Sequence, residues 1–393
     1  MVNVTDNRKC TGCTLCERIC PKQAISFSIG ENGFLYPVIN NNCINCGLCN
    51  LKCPSNSESN LLFNSEKQSY YACWSTNKKN RKSSTSGGVF YELCVQIISN
   101  GGVVYGCQLE NEKVRHCRIN SIEDIFKIKK SKYVQSYLDD VFLQIIEDLN
   151  NNLTVLFSGT PCQVNSLKLL LDIKKIPTDR LFLVDVVCHG VPSQKMFSEY
   201  CREISKDSIE NYEFRNKNTK YSWTYNQVVA SSKNVKYQNL TIYDPYFRLF
   251  NAGYSLRNSC HNCSFASIKR VGDITLGDFW GYRPKKAKMN NFYDGVSLVV
   301  VNSNRGKSLF DKALTNLLFC EYSQSEAISG NLTFKESFKE LDDSTSFWED
   351  YNSGKYTLDF LANKYLGKPI KPDSKFFIKM FLKSKFYFLF KKR

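Results

Sequence analysis

The chain has 393 residues, 42% of them hydrophobic and 13% aromatic, which suits about two or three globular domains. The formal net charge is +16, but eight Lys or Arg against one Asp in residues 371–393 account for +7, so the rest is only mildly basic. No recognised nucleic-acid-binding motif accompanies this charge, and we expect no nucleic-acid partner. The sequence has no run of about 18 apolar residues and no signal-like start, which predicts a cytoplasmic protein without a membrane span.

The first 55 residues carry eight cysteines in two equal runs. Each run has the spacing C-x2-C-x2-C-x3-C and is followed by proline: Cys10, Cys13, Cys16 and Cys20, then Cys43, Cys46, Cys49 and Cys53. In a reducing compartment, thiols at such spacing bind metal rather than form disulfides.

The same spacing is typical of ferredoxins with two 4Fe–4S clusters, in which the fourth cysteine of each run ligates the other cluster. A pair of zinc sites is the alternative, but zinc sites typically use two C-x2-4-C pairs instead of a triplet. The spacing therefore predicts a first cluster on Cys10, Cys13, Cys16 and Cys53, and a second on Cys43, Cys46, Cys49 and Cys20.

Strands alternate with helices after a polar stretch at 56–69, which we expect to be a linker. A helix is predicted from Ser86 through Ile98, and a strand follows at Val103–Leu109. Further strands are predicted at Leu153–Ser158 and Leu181–Cys188, each followed by a helix that starts near a proline, Pro161 or Pro192. Short strands are expected from 212 to 301 and helices after 307. The pattern predicts an α+β fold with a helical C-terminal region.

Five segments place reactive or flexible residues at strand ends and helix starts. They are 84–90 (STSGGVF), 130–133 (KSKY), 158–163 (SGTPCQ), 187–192 (VCHGVP), and Cys260-x2-Cys263 with 272–281 (GDITLGDFWG). Together they resemble the beta-subunit family of coenzyme F-420 hydrogenases and dehydrogenases over residues 1 to about 300, with a ferredoxin domain in front. The resemblance implies an FAD- and 4Fe–4S-dependent oxidoreductase with a mixed α/β flavin-binding core.

The resemblance also implies which residues bind FAD: Ser86, Gly87, Gly88, Lys132, Tyr133, Gly159, Thr160, Pro161, Gln163 and His189. Ser86-Gly87-Gly88 at a helix start offers backbone N–H groups to a phosphate, but it is equally an ordinary helix cap. Lys132 and Tyr133 place a cation and a ring near a flavin, or form a solvated basic helix end. His189 either donates to a flavin carbonyl or packs in a turn. No G-x-G-x-x-G follows a strand, which argues against a Rossmann domain.

The resemblance further implies a third 4Fe–4S cluster on Cys162, Cys188, Cys260 and Cys263. Two of these thiols come from strand-end turns, which converge at one edge of an α/β sheet. Half of a zinc knuckle at Cys260 and Cys263, and a nucleophilic Cys162 at a helix start, remain alternatives. We expect His116 to lie on a surface strand. The other cysteines are expected to be buried small hydrophobes or incidental thiols: Cys73, Cys94, Cys107, Cys117, Cys201 and Cys320.

The predicted domains are a ferredoxin domain at 1–55, a linker at 56–69, two parts of the core at 70–150 and 151–320, a helical extension at 321–370 and a basic aromatic tail at 371–393. A basic helix rich in Phe at the tail is a candidate for peripheral membrane contact, or for packing on the protein. We expect a redox protein or a small-molecule donor or acceptor as partner, and family members of this fused type are associated with polysaccharide biosynthesis. An electron-transfer subunit without its own substrate site is the alternative function.

Overall fold

The computed structural model describes residues 3–217, 223–370, 375–376, 378–379 and 382. Most of the predicted basic tail at 371–393 lies outside these residues, so membrane contact through it stays a prediction. Within the described ranges, no helix combines the length and apolarity needed to span a bilayer.

The strands form one large sheet and two small ones. They are β1 (Ile25–Ile29), β2 (Leu35–Ile39), β3 (Ser69–Ser75), β4 (Val103–Glu110), β5 (Lys113–Ile119), β6 (Val155–Gly159), β7 (Leu181–Val186), β8 (Asn211–Asn216), β9 (Gln227–Ser231), β10 (Lys236–Leu240), β11 (Ile274–Asp278), β12 (Ser297–Val301) and β13 (Leu317–Tyr322).

The helices lie between and outside these strands. They are α1 (Leu15–Ile19), α2 (Leu48–Leu51), α3 (Lys78–Lys82), α4 (Val89–Ile98), α5 (Ile125–Ile128), α6 (Val141–Asn150), α7 (Pro161–Ile173), α8 (Gln194–Ile204), α9 (Pro245–Ala252), α10 (Asn304–Ala313), α11 (Gln324–Ile328), α12 (Ser344–Asn352) and α13 (Leu358–Leu366), with short 3-10 turns at Glu58–Asn60, Asn258–Cys260, Ala287–Met289, Leu314–Asn316 and Leu332–Phe334.

The large sheet is mixed and has eight strands in the order β13-β3-β12-β11-β7-β6-β4-β5. Its central strands β11, β7, β6 and β4 run parallel to one another. Their carboxyl ends therefore meet at one edge of the sheet, where ligands commonly bind in such folds. The hairpin β1–β2 belongs to the N-terminal domain, and β8, β9 and β10 form a separate antiparallel sheet. The α+β fold predicted from the sequence is confirmed.

Alternating apolar residues on the central strands build a core on each face of the large sheet. Val103 and Tyr105 of β4 pack with α6 and α7, whereas Val104 between them packs with α4 and α10 on the opposite face. This alternation is expected because successive side chains of a strand point to opposite faces. A third core joins the small sheet to α8, α9, α12 and α13.

The N-terminal domain packs against α7 through α1. Leu15 and Ile19 of α1 share a buried core with Val164 and Leu167 of α7. This contact places the first cysteine run directly beside the 158–163 segment.

Two predictions about the second half of the chain are wrong in part. The run expected to be mostly short strands also includes helix α9, which begins with Asp244 as cap and Pro245 at its first position and ends at Gly253 in the left-handed region. The run expected to be helical after 307 contains β13. That strand pairs with β3, about 245 residues earlier in the chain. A contact between such distant residues cannot be predicted from a local sequence pattern.

Candidate iron-sulfur sites and cofactor cavity

The two cysteine runs of the N-terminal domain share one backbone conformation. Gly12 in the first run and Asn45 in the second occupy the left-handed region, as do Thr14 and Gly47 two residues later. Backbone N–H groups then point at cysteine sulfur: Gly12 donates to Cys10 Sγ at 3.4 Å, and Asn45 donates to the equivalent Cys43 Sγ at 3.5 Å. This repeated loop is what lets three closely spaced thiols face one centre.

The structure brings the fourth cysteine of the first run to the second run, as the spacing predicts. One cavity of about 20 Å³ is lined by Cys20, Cys43, Cys46 and Cys49, the group assigned to the second cluster. Cys46 is exposed, while Cys43 and Cys49 are half-buried. This group is therefore the one nearest to solvent.

The complementary group lies deeper in the molecule. Burial and the neighbouring thiols Cys13, Cys10 and Cys53 raise the pKa of Cys16 far above its ordinary value. Burial, followed by Cys13, likewise raises the pKa of Cys53 to about 11. The thiols that raise one another's pKa are thus the four assigned to the first cluster.

A larger cavity of about 350 Å³ opens at the carboxyl edge of the parallel strands. It is lined by the ends of β6, β7 and β11, by the start of α4, and by the loops at 129–136 and 257–266. All but one of the residues predicted to bind FAD line it: Ser86, Gly88, Lys132, Tyr133, Gly159, Thr160, Pro161, Gln163 and His189. Gly87 is the exception.

Gly87 is held by the backbone instead of facing the cavity. Its amide donates to Ser297 Oγ at 2.9 Å, and a Cβ at this position would lie 2.4 Å from the carbonyl oxygen of Cys73. The glycine is needed for this close approach to β3 and β12. Gly88 next to it has φ of 86° and precedes α4, which has no side-chain cap, so the first turn of α4 retains free amides beside the cavity.

The four thiols predicted to hold a third cluster also line this cavity: Cys162, Cys188, Cys260 and Cys263. Burial, followed by Cys263, raises the pKa of Cys188 to about 11, and burial with Cys188 and Cys263 raises the pKa of Cys260. Burial raises the pKa of Cys162, and the nearby thiols Cys263, Cys188 and Cys13 raise it further. Cys13, Cys162 and Cys263 pack against the same buried core, which places the third thiol group next to the first.

The donor set fits iron–sulfur clusters. Among the residues that the structure describes, no three His, Cys, Asp or Glu side chains converge closely enough to hold a single metal ion. The second and third thiol groups each bring four cysteines to one cavity, and four cysteine thiolates are the ligand set of a 4Fe–4S cluster. Thiols must lose their protons to ligate metal, so a cation in each group would offset the cost of burying thiolates.

Lys132 and Tyr133 are half-buried. Lys132 Nζ donates to the carbonyl oxygens of Lys127 and Lys129 at 3.0 and 2.8 Å, and burial lowers its pKa to about 8. The Tyr133 ring packs against Phe247 and Phe250, and its hydroxyl accepts from Arg215 Nη1 at 3.0 Å. Both residues border the cavity with their polar groups already held by protein partners.

The segment 158–163 forms a strand end and a capped helix start. Thr160 and Gln163 make a reciprocal capping box at the start of α7, with Pro161 in the first turn. The Thr160 hydroxyl lies 3.2 Å from Cys162 Sγ. This cap fixes the position of the thiol that α7 contributes to the cavity.

His116 was expected on a surface strand, and this prediction is wrong. It is only 4% exposed, because its ring stacks on Phe157 inside the sheet edge. Burial lowers its pKa to about 4, so the ring is neutral near pH 7. Nε2 lies 2.9 Å from the Ser158 carbonyl oxygen, which can only accept, so Nδ1 accepts from Ser136 Oγ at 3.0 Å.

The other histidine at the cavity, His189, has its Nε2 3.2 Å from the carbonyl oxygen of Phe250. Its ring packs between Phe250 and Phe338, with ring centroids 4.9 and 4.8 Å away. Burial lowers its pKa, so it too is a neutral donor. The packing role proposed from sequence is present, and the ring still borders the cavity.

Two buried ion pairs at the site have no signature in the sequence. Arg215 of β8 pairs with Asp278 at the end of β11, 2.5 Å apart, and Asp278 lines the cavity. Arg270 pairs with Asp185 of β7 at 2.9 Å and joins the Cys263 loop to the strand that leads to Cys188. The one available signal is Asp185, a charged residue inside the otherwise apolar strand β7, because a buried charge needs a partner.

Comparisons with known proteins agree with this arrangement. Residues 153–324 match the family model for the C terminus of the coenzyme F420 hydrogenase/dehydrogenase beta subunit, and residues 9–57 match the 4Fe–4S dicluster domain. Residues 153–324 belong to the coenzyme F420 hydrogenase/dehydrogenase beta-subunit family. These two matches confirm the family resemblance and the iron–sulfur domain predicted from the sequence.

The chain is similar to one chain of a solved structure, that of the xenon-derivatized F420-reducing [NiFe] hydrogenase complex from Methanosarcina barkeri, with 15% sequence identity. The likeness covers 79% of this chain and 97% of that chain, with a TM-score of 0.46. No curated protein matches the chain.

Proposed function

We propose that this protein is an iron–sulfur flavoprotein oxidoreductase of the F420 hydrogenase/dehydrogenase beta-subunit type, with three 4Fe–4S clusters and one FAD. When bound, the clusters supply one-electron transfer and FAD supplies its conversion into a two-electron or hydride step. The second redox partner would be a redox protein or a small molecule, and flow in either direction is compatible with the site. Coenzyme F420 use and a link to polysaccharide biosynthesis stay predictions of the resemblance.

One observation supports the proposal above all: the three thiol groups lie in series and end at the cavity. The second group includes the exposed Cys46, the first lies deeper, and Cys13 of the first packs against the same buried core as Cys162 of the third. Cys162 in turn lines the cavity. The chain's own thiols thus provide a continuous set of ligands from the surface to the proposed flavin site.

The cavity has features that suit a flavin nucleotide. Its volume of about 350 Å³ lies in the range of ligand pockets. Gly88 and the first residues of α4 border one end, where free amides and the helix dipole favour a phosphate. Lys129 and Lys130 border the same end, and burial lowers the pKa of Lys129 to about 8. These residues would hold the phosphates and exclude water from the apolar remainder.

Anaerobic purification with iron, sulfide and flavin quantitation tests the proposal. We expect roughly twelve irons per chain, one FAD and no zinc. Cys162→Ser should lower the iron content to about eight, whereas Cys94→Ser, which changes a buried thiol outside the three groups, should leave it unchanged.

A colourless protein, or zinc in the first eight cysteines, would contradict the iron–sulfur part. Iron–sulfur absorption without flavin would contradict the flavin part and favour the alternative, an electron-transfer subunit that has no substrate site of its own. The two parts of the proposal therefore fail separately.

A further inference from the structure

Arg257 is the largest fully buried side chain in the part of the chain that the structure describes. Its backbone already connects two loops of the third thiol group. The Arg257 amide donates to the carbonyl oxygen of Val191, three residues after Cys188, at 3.0 Å, and the amide of Cys260 donates to the Arg257 carbonyl at 2.8 Å. The Arg257 backbone therefore lies between the loops that carry Cys188 and Cys260.

The same side chain ends in the first cysteine loop. Nε donates to the carbonyl oxygen of Cys10 at 2.6 Å, and Nη2 donates to that of Leu35 at 2.8 Å. Nη1 donates to Gln135 Oε1 at 2.9 Å, and Gln135 Nε2 donates onward to the Thr11 carbonyl at 3.0 Å. The guanidinium thus lies between the N-terminal domain and the core.

Gly12 permits this close approach. A Cβ at Gly12, between Cys10 and Cys13, would lie 3.0 Å from Arg257 Nη1 and 2.6 Å from Gln135 Nε2. Its φ of 68° is the left-handed conformation that the cysteine loop repeats at Asn45. Glycine occupies the copy of the loop that meets the guanidinium, and asparagine the copy that does not.

Every described partner of the Arg257 guanidinium is neutral. Its donors meet carbonyl and amide oxygens, and its two ring contacts are with Tyr36 at 4.5 Å and Phe34 at 5.3 Å. No described carboxylate forms an ion pair with it, in contrast to the buried Arg215 and Arg270. A buried cation without a counter-charge is strongly unfavourable, so this arrangement calls for negative charge nearby.

Arg257 contacts the ligand loops of both neighbouring sites. Its guanidinium donates to the Cys10 carbonyl of the first group, and the residue lines the same cavity as Cys188, Cys260 and Cys263 of the third. Thiolate ligands and the cluster they hold carry net negative charge, and this charge increases when an electron is added.

We propose that Arg257 is the shared counter-ion of the first and third clusters and favours the reduced state of both. The inference rests on the proposed function, which assigns Cys10 and Cys260 as cluster ligands. Arg257 acts through the ligands that it faces and is a positioning residue. The second cluster, held by Cys20, Cys43, Cys46 and Cys49, lies outside its contacts.

Redox titration of the intact chain, followed anaerobically by EPR, tests this role. Arg257→Gln should shift the midpoint potentials of the first and third clusters to more negative values and leave that of the second unchanged. Arg257→Lys keeps the charge and should leave all three near the parent values. Lys195→Gln removes a cation from the same domain contact, where Nζ donates to the Glu31 carbonyl at 3.2 Å, and should shift none.

Three results separate the possibilities. A parent chain with only about eight irons overturns the proposed third cluster, whatever the variants do. With three clusters present, unchanged potentials in Arg257→Gln overturn the counter-ion role. If Arg257→Gln does not retain its clusters, Arg257→Lys decides: retention with near-parent potentials supports the charge, and loss assigns Arg257 to hydrogen bonding alone and overturns the inference.

Discussion

The ion pair of Arg270 with Asp185 should be the strongest single support of the third thiol group. Asp185 is fully buried and Arg270 is 2% exposed. Asp185 Oδ1 meets Arg270 Nη2 at 2.9 Å, and its Oδ2 accepts from the Gly272 amide at 2.9 Å. Arg270 also donates to the carbonyl oxygens of Phe265 and Val186, so the pair joins the Cys263 loop to the end of β7.

Removing one partner leaves the other charge buried, which typically costs about 3–5 kcal/mol. Replacing both partners by apolar residues of similar size is often close to neutral. We therefore expect Asp185→Leu and Arg270→Met each to destabilise the protein by about 3–5 kcal/mol, and the double variant to cost much less than the sum. At roughly 2–4 °C per kcal/mol, each single change should lower Tm by about 6–20 °C.

Anaerobic thermal unfolding at one fixed scan rate measures this, with iron content determined on the same samples. The fixed rate matters because cluster loss makes unfolding irreversible. The exposed pair Lys307–Asp311, 2.7 Å apart on α10, is the matched control. Its removal should leave Tm unchanged, since solvent-exposed pairs contribute little.

Additive effects of the two single changes, within about 0.5 kcal/mol, would refute the reasoning. So would single variants that unfold at the parent temperature with full iron content. The expected companion result is a loss of about four irons in each single variant, because the loops that carry Cys188 and Cys263 lose their common anchor.

Three further changes test other parts of the site. Thr160→Ala removes the capping box of α7 and should cost about 1 kcal/mol, whereas Thr160→Ser should retain most of it; equal losses in thermal unfolding would contradict the capping role. Gly87→Ala would place Cβ 2.4 Å from the Cys73 carbonyl oxygen and should cost more than about 2 kcal/mol, whereas Gly101→Ala meets nothing within 4 Å and should cost only the roughly 1–2 kcal/mol of alanine in the left-handed region, at φ of 75°. Burial lowers the pKa of His116 to about 4, below the ~6.5 of an unfolded chain, so the folded state binds fewer protons and stability falls as the pH falls below about 6.5. Between pH 7.5 and 5.5 this should remove about 1.3 kcal/mol from the parent and not from His116→Gln; parallel pH profiles of Tm would contradict it.

The N-terminal domain could be predicted from its sequence almost completely. Metal-binding cysteine runs are local, because Cys10, Cys13 and Cys16 must face one centre within a single loop. Their spacing predicted the domain that the 4Fe–4S family match confirms, and it predicted the crossed grouping of Cys20 with the second run that the cavity now displays. The assignment of each cysteine to a cluster stays a prediction.

The central strands and helices were also predictable, because their patterns are local too. Strand β4 lies at Val103–Glu110 against an expected Val103–Leu109, and α4 covers Val89–Ile98. Parallel strands bring their carboxyl ends to one edge, so the convergence of residues from 86 to 263 on one cavity followed from the fold class.

The spacing of the cysteines and the hydrophobic periodicity involve residues that are close together in the chain, so they sufficed to predict candidate metal and cofactor ligands and the edge of the sheet that these residues occupy. What surrounds these residues became known from the folded structure. Arg257 reaches Cys10 across 247 positions, and β13 joins β3 across a similar separation. The burial of His116, and of the ion pairs formed by Arg215 and Arg270, likewise depends on partners that are distant in the sequence. A buried polar group needs such a partner, but no local sequence pattern indicates which residue it is.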